Sequence, residues 1–525
     1  MKLPNYVSGE WKEGTGPGDP LVDPVTGEEL ARISPQGIDI GAALEFARSH
    51  GSPTLQKSTY RERAELLGKI ADVLTANRDE YFRISLLNQG ATQADASFDV
   101  DGAIYTIKYY AKIGRALGDQ KILKEGAEIP LSKTNVFSAQ HFLMPAKGAA
   151  VFINAFNFPA WGFCEKAAPA LLSGVAVVVK PASPTAWLTQ RMVEDIVKAG
   201  VCPEGAISIL CGSARDLLDH VREGDTISFT GSADTAARIR SNANVLRRSV
   251  RSNIEADSIN SAILGPDAAP GSDLFDLLVK EVVREMTLKA GQKCTAIRRV
   301  LVPRQHLQAA GEAIAARLGS LKVGNPRNPE VKVGPVVSKA QQASCLEGLR
   351  QLKQECSVIF GGGEDFQPLD ADAQKSAFVQ PTLLASKDGL DAKFVHDIEV
   401  FGPAATLVAY DSTSNLIAIA RRGLGSLVSS IFSNDADFVR EVVLGIGDLH
   451  GRLLVVDSSV GGQHTDHGNV VPSCLHGGPG RAGGGEELAA LRAVLLYHRR
   501  FVVQGPPSRI GDLAAMSADA SILYS

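Results

Sequence analysis

The sequence has few cysteines, no long apolar run and no large excess of charge. Its seven cysteines form no CxxC pair, so neither a disulfide framework nor a zinc cluster is indicated. The formal charge of −4 provides no basic surface, so we expect no nucleic-acid or membrane partner. The longest nearly apolar stretch, around residues 167–179, contains Pro169, Ser173 and Gly174 and is shorter than the roughly 20 residues that a membrane helix requires. The N-terminus lacks a signal-peptide core, and a reducing cytoplasm is the expected location.

A chain of 525 residues is long enough for several domains at roughly 150 residues each. Between residues 148 and 265, short β-rich runs alternate with helical patterns at 184–199 and 214–222. This alternation predicts a parallel, doubly wound sheet, so the fold class is α/β. The predicted strands are Ala149–Ile153, Ala176–Val179, Ala206–Leu210, Thr226–Phe229 and Ser261–Leu264.

Helical patterns before this region, at 61–76, 78–88 and 102–117, should pack around the same sheet. A second alternating region runs from 298–302 through 309–321 to 453–456 and predicts another α/β unit. We expect the active site to lie between the two units.

Cys294 is a candidate nucleophile. Apolar residues recur at helical spacing from Ser272 onward, Ser272 and Asp273 suit the first turn of a helix, and Gly291 suits a left-handed C-cap. The thiol would then follow a rigid element, where a substrate carbonyl can reach it. A single cysteine is nevertheless more often buried and inert, so this residue needs support from other motifs.

Two polar residues could assist such a thiol. Glu255 lies upstream of Cys294 and could take a proton from the thiol or from water, although a solvent-facing glutamate is the default alternative. Asn157 follows the first predicted strand and could donate its amide to an oxyanion. A plain turn before Pro159 is its alternative explanation.

Three segments could bind a nucleotide. Lys180 and Ser183 follow a Val-rich strand, where a ribose would lie, although Ser183 could simply cap a helix that starts at Pro184. Ser232 opens a helix after another strand and could hold a pyrophosphate. Glu399 offers a carboxylate for ribose hydroxyls and Phe401 an aromatic face for a nicotinamide, unless they form only a turn with a core aromatic residue. The usual GxGxxG fingerprint is absent here.

His464 and His467 flank Asp466 in a Gly-rich loop, which raises the question of a metal site. No further ligand set at zinc-like spacing accompanies them, and such residues are more often solvated. We expect no metal.

The ordered motifs around Asn157, Lys180, Phe229–Ser232, Glu255, Cys294 and Glu399–Phe401 resemble the aldehyde dehydrogenase superfamily along nearly the whole chain. The resemblance implies a discontinuous NAD(P)-binding domain of Rossmann-like fold at 1–128 and 148–262, and a catalytic domain at 263–475. It also implies a small β oligomerisation extension at 129–147 and 494–510, which would make a homodimer or homotetramer.

The same resemblance implies a mechanism. Cys294 would attack the aldehyde carbon, with the oxyanion held by the Asn157 amide and the Cys294 backbone N–H. Glu255 would activate the water that hydrolyses the thioester, and Glu487 matches a second glutamate that relays protons. Lys180 and Ser183 would face the adenine ribose, Ser232 the pyrophosphate, and Glu399 with Phe401 the nicotinamide half.

One departure concerns the cofactor. Many family members have a glutamate at the position of Ser183, which bonds the ribose 2′-hydroxyl and repels a 2′-phosphate. Ser183 beside Lys180 removes that repulsion, so we expect NADP to be preferred, with NAD possible. Two further departures, Ala256–Ser258 after the base and Ala236 in the helix that follows Ser232, affect loop geometry.

Segments 255–258, 284–287, 293–299 and 476–488 resemble a narrower group, which includes the dehydrogenase half of a bifunctional ring-opening protein of phenylacetate degradation. The resemblance implies a semialdehyde carried on a CoA thioester, within the aerobic degradation of benzoate. An enzyme acting on free aliphatic or aromatic aldehydes is the main alternative. A CoA-acylating enzyme is less favoured because Glu255 is present, and an inactive binding protein because Cys294, Glu255 and Asn157 are all retained.

Overall fold

The computed structural model describes residues 1–363, 366–486 and 489–523. The helices within these ranges are α1 (Ile40–Phe46), α2 (Ser52–Lys57), α3 (Tyr60–Ala76), α4 (Arg78–Gln89), α5 (Gln93–Leu117), α6 (Trp161–Leu172), α7 (Ala186–Lys198), α8 (Ala233–Ser241), α9 (Ala243–Arg247), α10 (Asp273–Thr287), α11 (Leu307–Gly319), α12 (Lys339–Leu352), α13 (Phe394–Asp397), α14 (Thr413–Arg421), α15 (Ala436–Ile446), α16 (Leu491–Leu496) and α17 (Pro507–Ala515).

The strands of the same ranges assemble into two large and two small sheets. They are β1 (Lys2–Leu3), β2 (Asn5–Val7), β3 (Glu10–Lys12), β4 (Asp19–Val22), β5 (Glu29–Ile33), β6 (Ile122–Pro130), β7 (Ser138–Pro145), β8 (Ala149–Ile153), β9 (Ala176–Lys180), β10 (Ile207–Ile209), β11 (Thr226–Thr230), β12 (Arg251–Glu255), β13 (Asn260–Leu264), β14 (Ile297–Pro303), β15 (Cys356–Phe360), β16 (Thr382–Ser386), β17 (Ala404–Tyr410), β18 (Ser426–Phe432), β19 (His450–Val456), β20 (His498–Gly505) and β21 (Ser517–Asp519).

The first large sheet has the strand order β12-β11-β8-β9-β10-β2-β3. The strands from β12 to β10 are parallel, and the short β2 and β3 are antiparallel additions at one edge. The chain order reverses between β8 and β11, so the loops after Ile153 and Thr230 leave the same edge of the sheet side by side. Such a reversal is where open α/β sheets bind ligands.

Helices α3, α5 and α6 pack together and share one hydrophobic core with β8, β9 and β10. Capping boxes start two of them: Thr59 with Glu62 before α3, and Thr92 with Asp95 before α5. The β8 and β9 side chains are buried on both faces, as expected when helices cover both sides of a parallel sheet.

The second large sheet has the order β15-β16-β17-β14-β13-β18-β19 and is parallel except for the pair β15–β16. The prediction that residues 261–264 belong to the first sheet is wrong, because β13 pairs here with β14 and β18. The predicted boundary after residue 262 would also cut β13. A domain division before Asn260 agrees better with this pairing.

The third sheet has the order β20-β7-β6-β21. Its strands β7 and β20 pair antiparallel over their full lengths, from Ser138 with Gly505 to Pro145 with His498. Several large apolar side chains on and beside this sheet are exposed, including Phe137 and Phe501. Its role in oligomerisation stays a prediction.

One further expectation was wrong. Residues 214–222 contain a short 3-10 turn, Leu217–His220, and no α-helix, because Arg215 has a left-handed φ of 40°. The first hundred residues contain strands as well as helices, namely β1 to β5. These strands have two to five residues each, too few for a sequence period to reveal them.

Within the described residues, no helix combines the length and the apolar content needed to cross a membrane.

Candidate active site

The helix before the candidate nucleophile begins as predicted but ends earlier. Ser272 caps α10 by accepting a hydrogen bond from the Phe275 amide at 3.3 Å. The predicted C-cap at Gly291 is wrong, since α10 ends at Thr287 and a 3-10 turn follows it.

The turn between α10 and Cys294 has an unusual backbone. Lys289 and Ala290 have φ values of 52° and 51°, in the left-handed region that a β-carbon disfavours. Gly291 is also left-handed, and a β-carbon there would lie 2.3 Å from the carbonyl oxygen of Gly402. Glycine is therefore required at this position, and the turn stays tight against the loop that contains Gly402.

Hydrogen bonds from Asn260 fix the backbone of the cysteine itself. The Asn260 amide donates to the carbonyl oxygens of Cys294 at 2.7 Å and Ala296 at 3.0 Å. Ser258 in turn donates its hydroxyl to the side-chain oxygen of Asn260 at 2.6 Å. Because all of these groups lie on β13 or beside it, the second sheet determines where the thiol is placed.

Cys294 lines a partly open cavity between the two large sheets. The wall combines the Cys294 thiol, the Glu255 carboxylate and the Asn157 amide with aromatic and small side chains. Its lining residues are Phe98, Ala155, Asn157, Phe158, Trp161, Gly162, Glu165, Lys166, Thr230, Glu255, Cys294, Thr295, Gly468, Val470 and His476. The three residues chosen from sequence as the reacting set therefore share one cavity.

Glu255 is the last residue of β12 and is 1% exposed. Its Oε2 atom lies 2.8 Å from Nε2 of His476. Burial raises the pKa of the Glu255 carboxyl, but the charge and hydrogen bond of His476 outweigh burial and hold the pKa below its usual range, at about 2. The carboxylate is thus ionised beside the thiol, and the solvent-facing alternative is excluded.

Burial raises the pKa of the Cys294 thiol well above its ordinary value, and the neighbouring Glu255 carboxylate raises it further. The resting group is therefore a thiol, which must lose its proton before it can attack. Sulfur, carboxylate and imidazole ligand atoms of Cys294, Glu255 and His476 all lie within 4.8 Å of one another. A proton acceptor is thus within reach.

Sequence reasoning missed His476 as a site residue. It opens the glycine-rich segment 476–488 that carried the narrower resemblance. No local pattern connects it to Glu255, so only the tertiary structure brings the two side chains together.

The Asn157 loop is held at both of its ends. The Thr185 hydroxyl donates to the Phe156 carbonyl at 2.9 Å, and the Thr189 hydroxyl donates to the Pro159 carbonyl at 2.8 Å. Asn157 is 6% exposed and lines the cavity with Cys294. Its amide is therefore part of a fixed wall, where it can donate to a bound oxygen.

Lys180 ends β9 and Ser183 begins the next turn. Burial lowers the pKa of the Lys180 ammonium, which has no ion-pair partner among the described residues. A largely buried cation of this kind favours an anionic ligand. The Ser183 side chain caps neither its own 3-10 turn nor α7, so the simple capping explanation for it is not observed.

Ser232 is the N-cap of α8 and accepts a hydrogen bond from the Thr235 amide at 3.3 Å. The Asp257 carboxylate accepts from the Ala233 amide at 2.9 Å, at the same helix end. A pyrophosphate bound at this end of α8 would be repelled by the negative charge of the Asp257 carboxylate. The departure from the family sequence at Ala256–Ser258 thus changes the charge beside Ser232, the residue proposed to bind the pyrophosphate.

Glu399 and Phe401 lie in the loop that contains Gly402, which packs against the turn before Cys294. Burial raises the pKa of the Glu399 carboxyl to about 7, while Arg298, 3.8 Å away, opposes the rise. Arg298 also lies 5.6 Å from the Phe401 ring and donates to the Gly402 carbonyl at 2.9 Å. Arg298 therefore fixes this loop against the turn that leads to Cys294.

The histidine loop is not solvated, contrary to the prediction. His467 is fully buried, with Nδ1 at 2.6 Å from the Ser430 hydroxyl and its amide donating to Glu281 at 2.7 Å. Glu281, His464 and Asp466 have potential ligand atoms within 4.8 Å of one another. Asp466 is already paired with Arg284, which competes with any cation.

The last predicted site residue, Glu487, lies outside the described residues.

The family model "Aldehyde dehydrogenase family" matches residues 11–461. The chain is 64% identical to the 3,4-dehydroadipyl-CoA semialdehyde dehydrogenase of Aromatoleum evansii. The alignment spans 479 residues, which are 91% of this chain and 93% of the relative.

Solved structures share the fold at low sequence identity. PnpE in complex with nicotinamide adenine dinucleotide superposes with a TM-score of 0.83 and 24% identity, over 96% of this chain and 98% of PnpE. A putative aldehyde dehydrogenase from Burkholderia cenocepacia superposes with a TM-score of 0.82 and 24% identity, over 96% of this chain and 97% of that one. These structural similarities show that the chain has the same fold as these two proteins.

Proposed function

Because the chain belongs to the aldehyde dehydrogenase family and is an oxidoreductase that acts on aldehydes, we propose that it oxidises 3,4-dehydroadipyl-CoA semialdehyde to 3,4-dehydroadipyl-CoA with NADP. The observation that carries the chemistry is the single cavity shared by Cys294, Glu255 and Asn157. The substrate name comes from the relative of 64% identity.

The first step is the attack of the Cys294 thiolate on the aldehyde carbon. Glu255 takes the thiol proton directly or through one water molecule, since the two groups lie within 4.8 Å of each other. The carbonyl oxygen becomes an alkoxide, and the amide of Asn157 donates a hydrogen bond to it. The product of this step is a thiohemiacetal on Cys294.

The cofactor, when bound, accepts the hydride from the thiohemiacetal carbon. Lys180, Ser183, Ser232, Glu399 and Phe401 are the residues proposed to hold it. The buried ammonium of Lys180, which has no ion-pair partner among the described residues, and the buried carboxyl of Glu399 suit a phosphate-bearing nucleotide with ribose hydroxyls, so the residues present fit the group.

Loss of the hydride leaves an acyl thioester on Cys294. Glu255 releases the thiol proton to solvent and then accepts a proton from water, and the resulting hydroxide attacks the thioester carbon. The C–S bond breaks, the carboxylate product leaves and the thiol is restored. Hydrolysis of this kind needs a carboxylate base beside the sulfur, which is where Glu255 lies.

Preference for NADP over NAD is proposed from Lys180 and Ser183. A 2′-phosphate would meet a buried cation and a hydroxyl, with no carboxylate at position 183 to repel it. We also propose a homodimer or homotetramer built through the β6–β7–β20 sheet, whose exposed apolar side chains suit burial between subunits. A cytoplasmic location is proposed with them.

The proposal is tested by following NADPH formation with the CoA-linked semialdehyde, generated in place by a ring-cleaving enzyme, and with free aldehydes of matched chain length. A higher kcat/KM on the CoA-linked aldehyde supports the proposed substrate. Equal values on free aldehydes would leave a general aldehyde dehydrogenase, and no turnover with either would favour a binding protein.

A further inference from the structure

A histidine and a carboxylate face each other inside the reaction cavity. His476 is 6% exposed and Glu255 is 1% exposed, and their Nε2 and Oε2 atoms lie 2.8 Å apart. At this distance the two groups are in ion-pair contact, and no other described N–H or O–H group donates a hydrogen bond to the buried carboxylate oxygens of Glu255. Both side chains line the cavity that contains Cys294.

The position of Glu255 makes such a partner necessary. It lies at the end of a buried strand, where an isolated carboxylate is strongly disfavoured and would instead hold a proton. A base that already holds a proton cannot accept one from a thiol or from water. Something close to Glu255 must therefore keep it ionised.

The other charged groups around the cavity are less suitable for this task. Cys294 makes the surroundings more negative once it is ionised. Glu165 and Lys166 of α6 also line the cavity, but their side chains form an ion pair with each other at 3.1 Å. Among the residues that the structure describes, His476 is the one that lies within ion-pair distance of a Glu255 carboxylate oxygen.

We propose that His476 is a positioning residue for the reaction, which donates Nε2–H to Oε2 of Glu255 and thereby holds the base as an oriented carboxylate beside Cys294. The inference rests on the proposed function, in which Glu255 is the base. The second carboxylate oxygen remains the one that takes the proton of the thiol and later of water. The His476 proton stays on the ring throughout.

Removal of this donor leaves burial as the dominant influence on Glu255. The pKa of the carboxyl, now held at about 2, would rise above the ordinary value for glutamic acid. The carboxyl group would then be protonated at or near neutral pH. This change can be observed on the carboxyl group itself, with no substrate present.

The test is a pH titration by infrared difference spectroscopy, which follows the carbonyl stretch of a protonated carboxylic acid. His476→Phe removes the donor, and His476→Gln keeps a neutral N–H donor on a side chain of similar reach. Each is compared with the same variant carrying Glu255→Gln, so that the difference belongs to Glu255. Val470→Ala, on the same cavity wall, controls for a change of cavity shape.

We expect the Glu255 signal to titrate at least about two pH units higher in His476→Phe than in the wild type, with His476→Gln in between and Val470→Ala unchanged. An unchanged midpoint in His476→Phe would overturn the proposal. So would a midpoint in His476→Gln as high as that in His476→Phe, since a neutral donor would then have no effect. Cofactor binding and melting temperature verify that each variant folds.

This experiment separates the two hypotheses. A protein that turns over no aldehyde but shows the expected titration would contradict the proposed function and leave the Glu255–His476 relationship intact. If the wild type oxidises the proposed substrate but the Glu255 titration is unchanged in His476→Phe, the proposed function would stand and the role of His476 would be contradicted.

Discussion

Asn260 donates its side-chain amide to the backbone carbonyl of Cys294 at 2.7 Å. The bond comes from the strand β13 and so ties the candidate nucleophile to the second sheet. Position of the thiol relative to Asn157 and Glu255 thus depends on a residue that touches none of the reacting atoms.

Asn260→Ala should therefore lower kcat/KM by roughly 10- to 100-fold, because a displacement of about 1 Å in a reacting group costs that much. Steady-state kinetics with any aldehyde that the wild type oxidises measure the effect. Ser261→Ala is the matched control, since this neighbour on β13 is fully buried as well. Wild-type kinetics in the folded Asn260 variant would show that the loop holds its shape without this bond.

Cofactor choice should respond to charge at position 183. Ser183→Glu places a carboxylate near the proposed 2′-phosphate and should reduce kcat/KM with NADP on the order of 10-fold or more, with little loss for NAD. Ser183→Gln has nearly the same size without the charge and should retain the NADP preference. A similar loss in both variants would mean that side-chain size, not charge, determines the choice.

Affinity for the cofactor should depend on pH through Glu399. Burial raises the pKa of this carboxyl to about 7, so the carboxylate that would accept the ribose hydroxyls is lost as the pH falls through that value. The Kd for the cofactor should accordingly increase below pH 7. NAD is the suitable ligand for calorimetry, because it has no 2′-phosphate to titrate in this range.

In Glu399→Gln the same titration should be flat, with weaker binding at pH 8. Wild-type affinity that stays constant from pH 6 to 8, or an identical slope in the glutamine variant, would exclude Glu399 as the titrating group.

Stability should depend on the buried ion pair beside the nucleophile. Lys293 Nζ donates to Glu285 Oε1 at 2.6 Å, and both side chains are 1% exposed. Lys293→Met leaves a buried carboxylate without its partner and should destabilise the protein by about 3–5 kcal/mol. Denaturant unfolding measures this loss.

The double variant Lys293→Met with Glu285→Leu should recover most of that stability, since apolar residues of similar volume often replace a buried pair at little cost. A double variant as unstable as Lys293→Met would show that the two charges do not act as a pair.

Several features of the fold and site could be predicted from the sequence. Val-rich runs such as Ala176–Lys180 are buried on both faces of a parallel sheet, and that burial leaves a clear apolar signature. The ordered motifs also led to Asn157, Glu255 and Cys294, which the structure brings to one cavity.

Other features depend on contacts that leave no local signal. The strand 260–264 has the same composition whichever sheet it joins, so its place in the second sheet could not be read from it. The left-handed backbone at Lys289 and Ala290 occurs in residues that usually avoid it. Burial of His467 and the contact of His476 with Glu255 both arise from distant parts of the chain.

The most direct test of the proposed mechanism is mass spectrometry of the acyl enzyme. The wild-type protein is mixed with NADP and the CoA-linked semialdehyde, quenched with acid within the first turnover and digested. We predict that the peptide containing Cys294 gains the mass of the aldehyde minus two hydrogen atoms, since the thiol proton and the hydride both leave before water attacks the thioester. An unmodified Cys294 peptide after NADPH has formed, or the acyl group on another cysteine, would contradict the account.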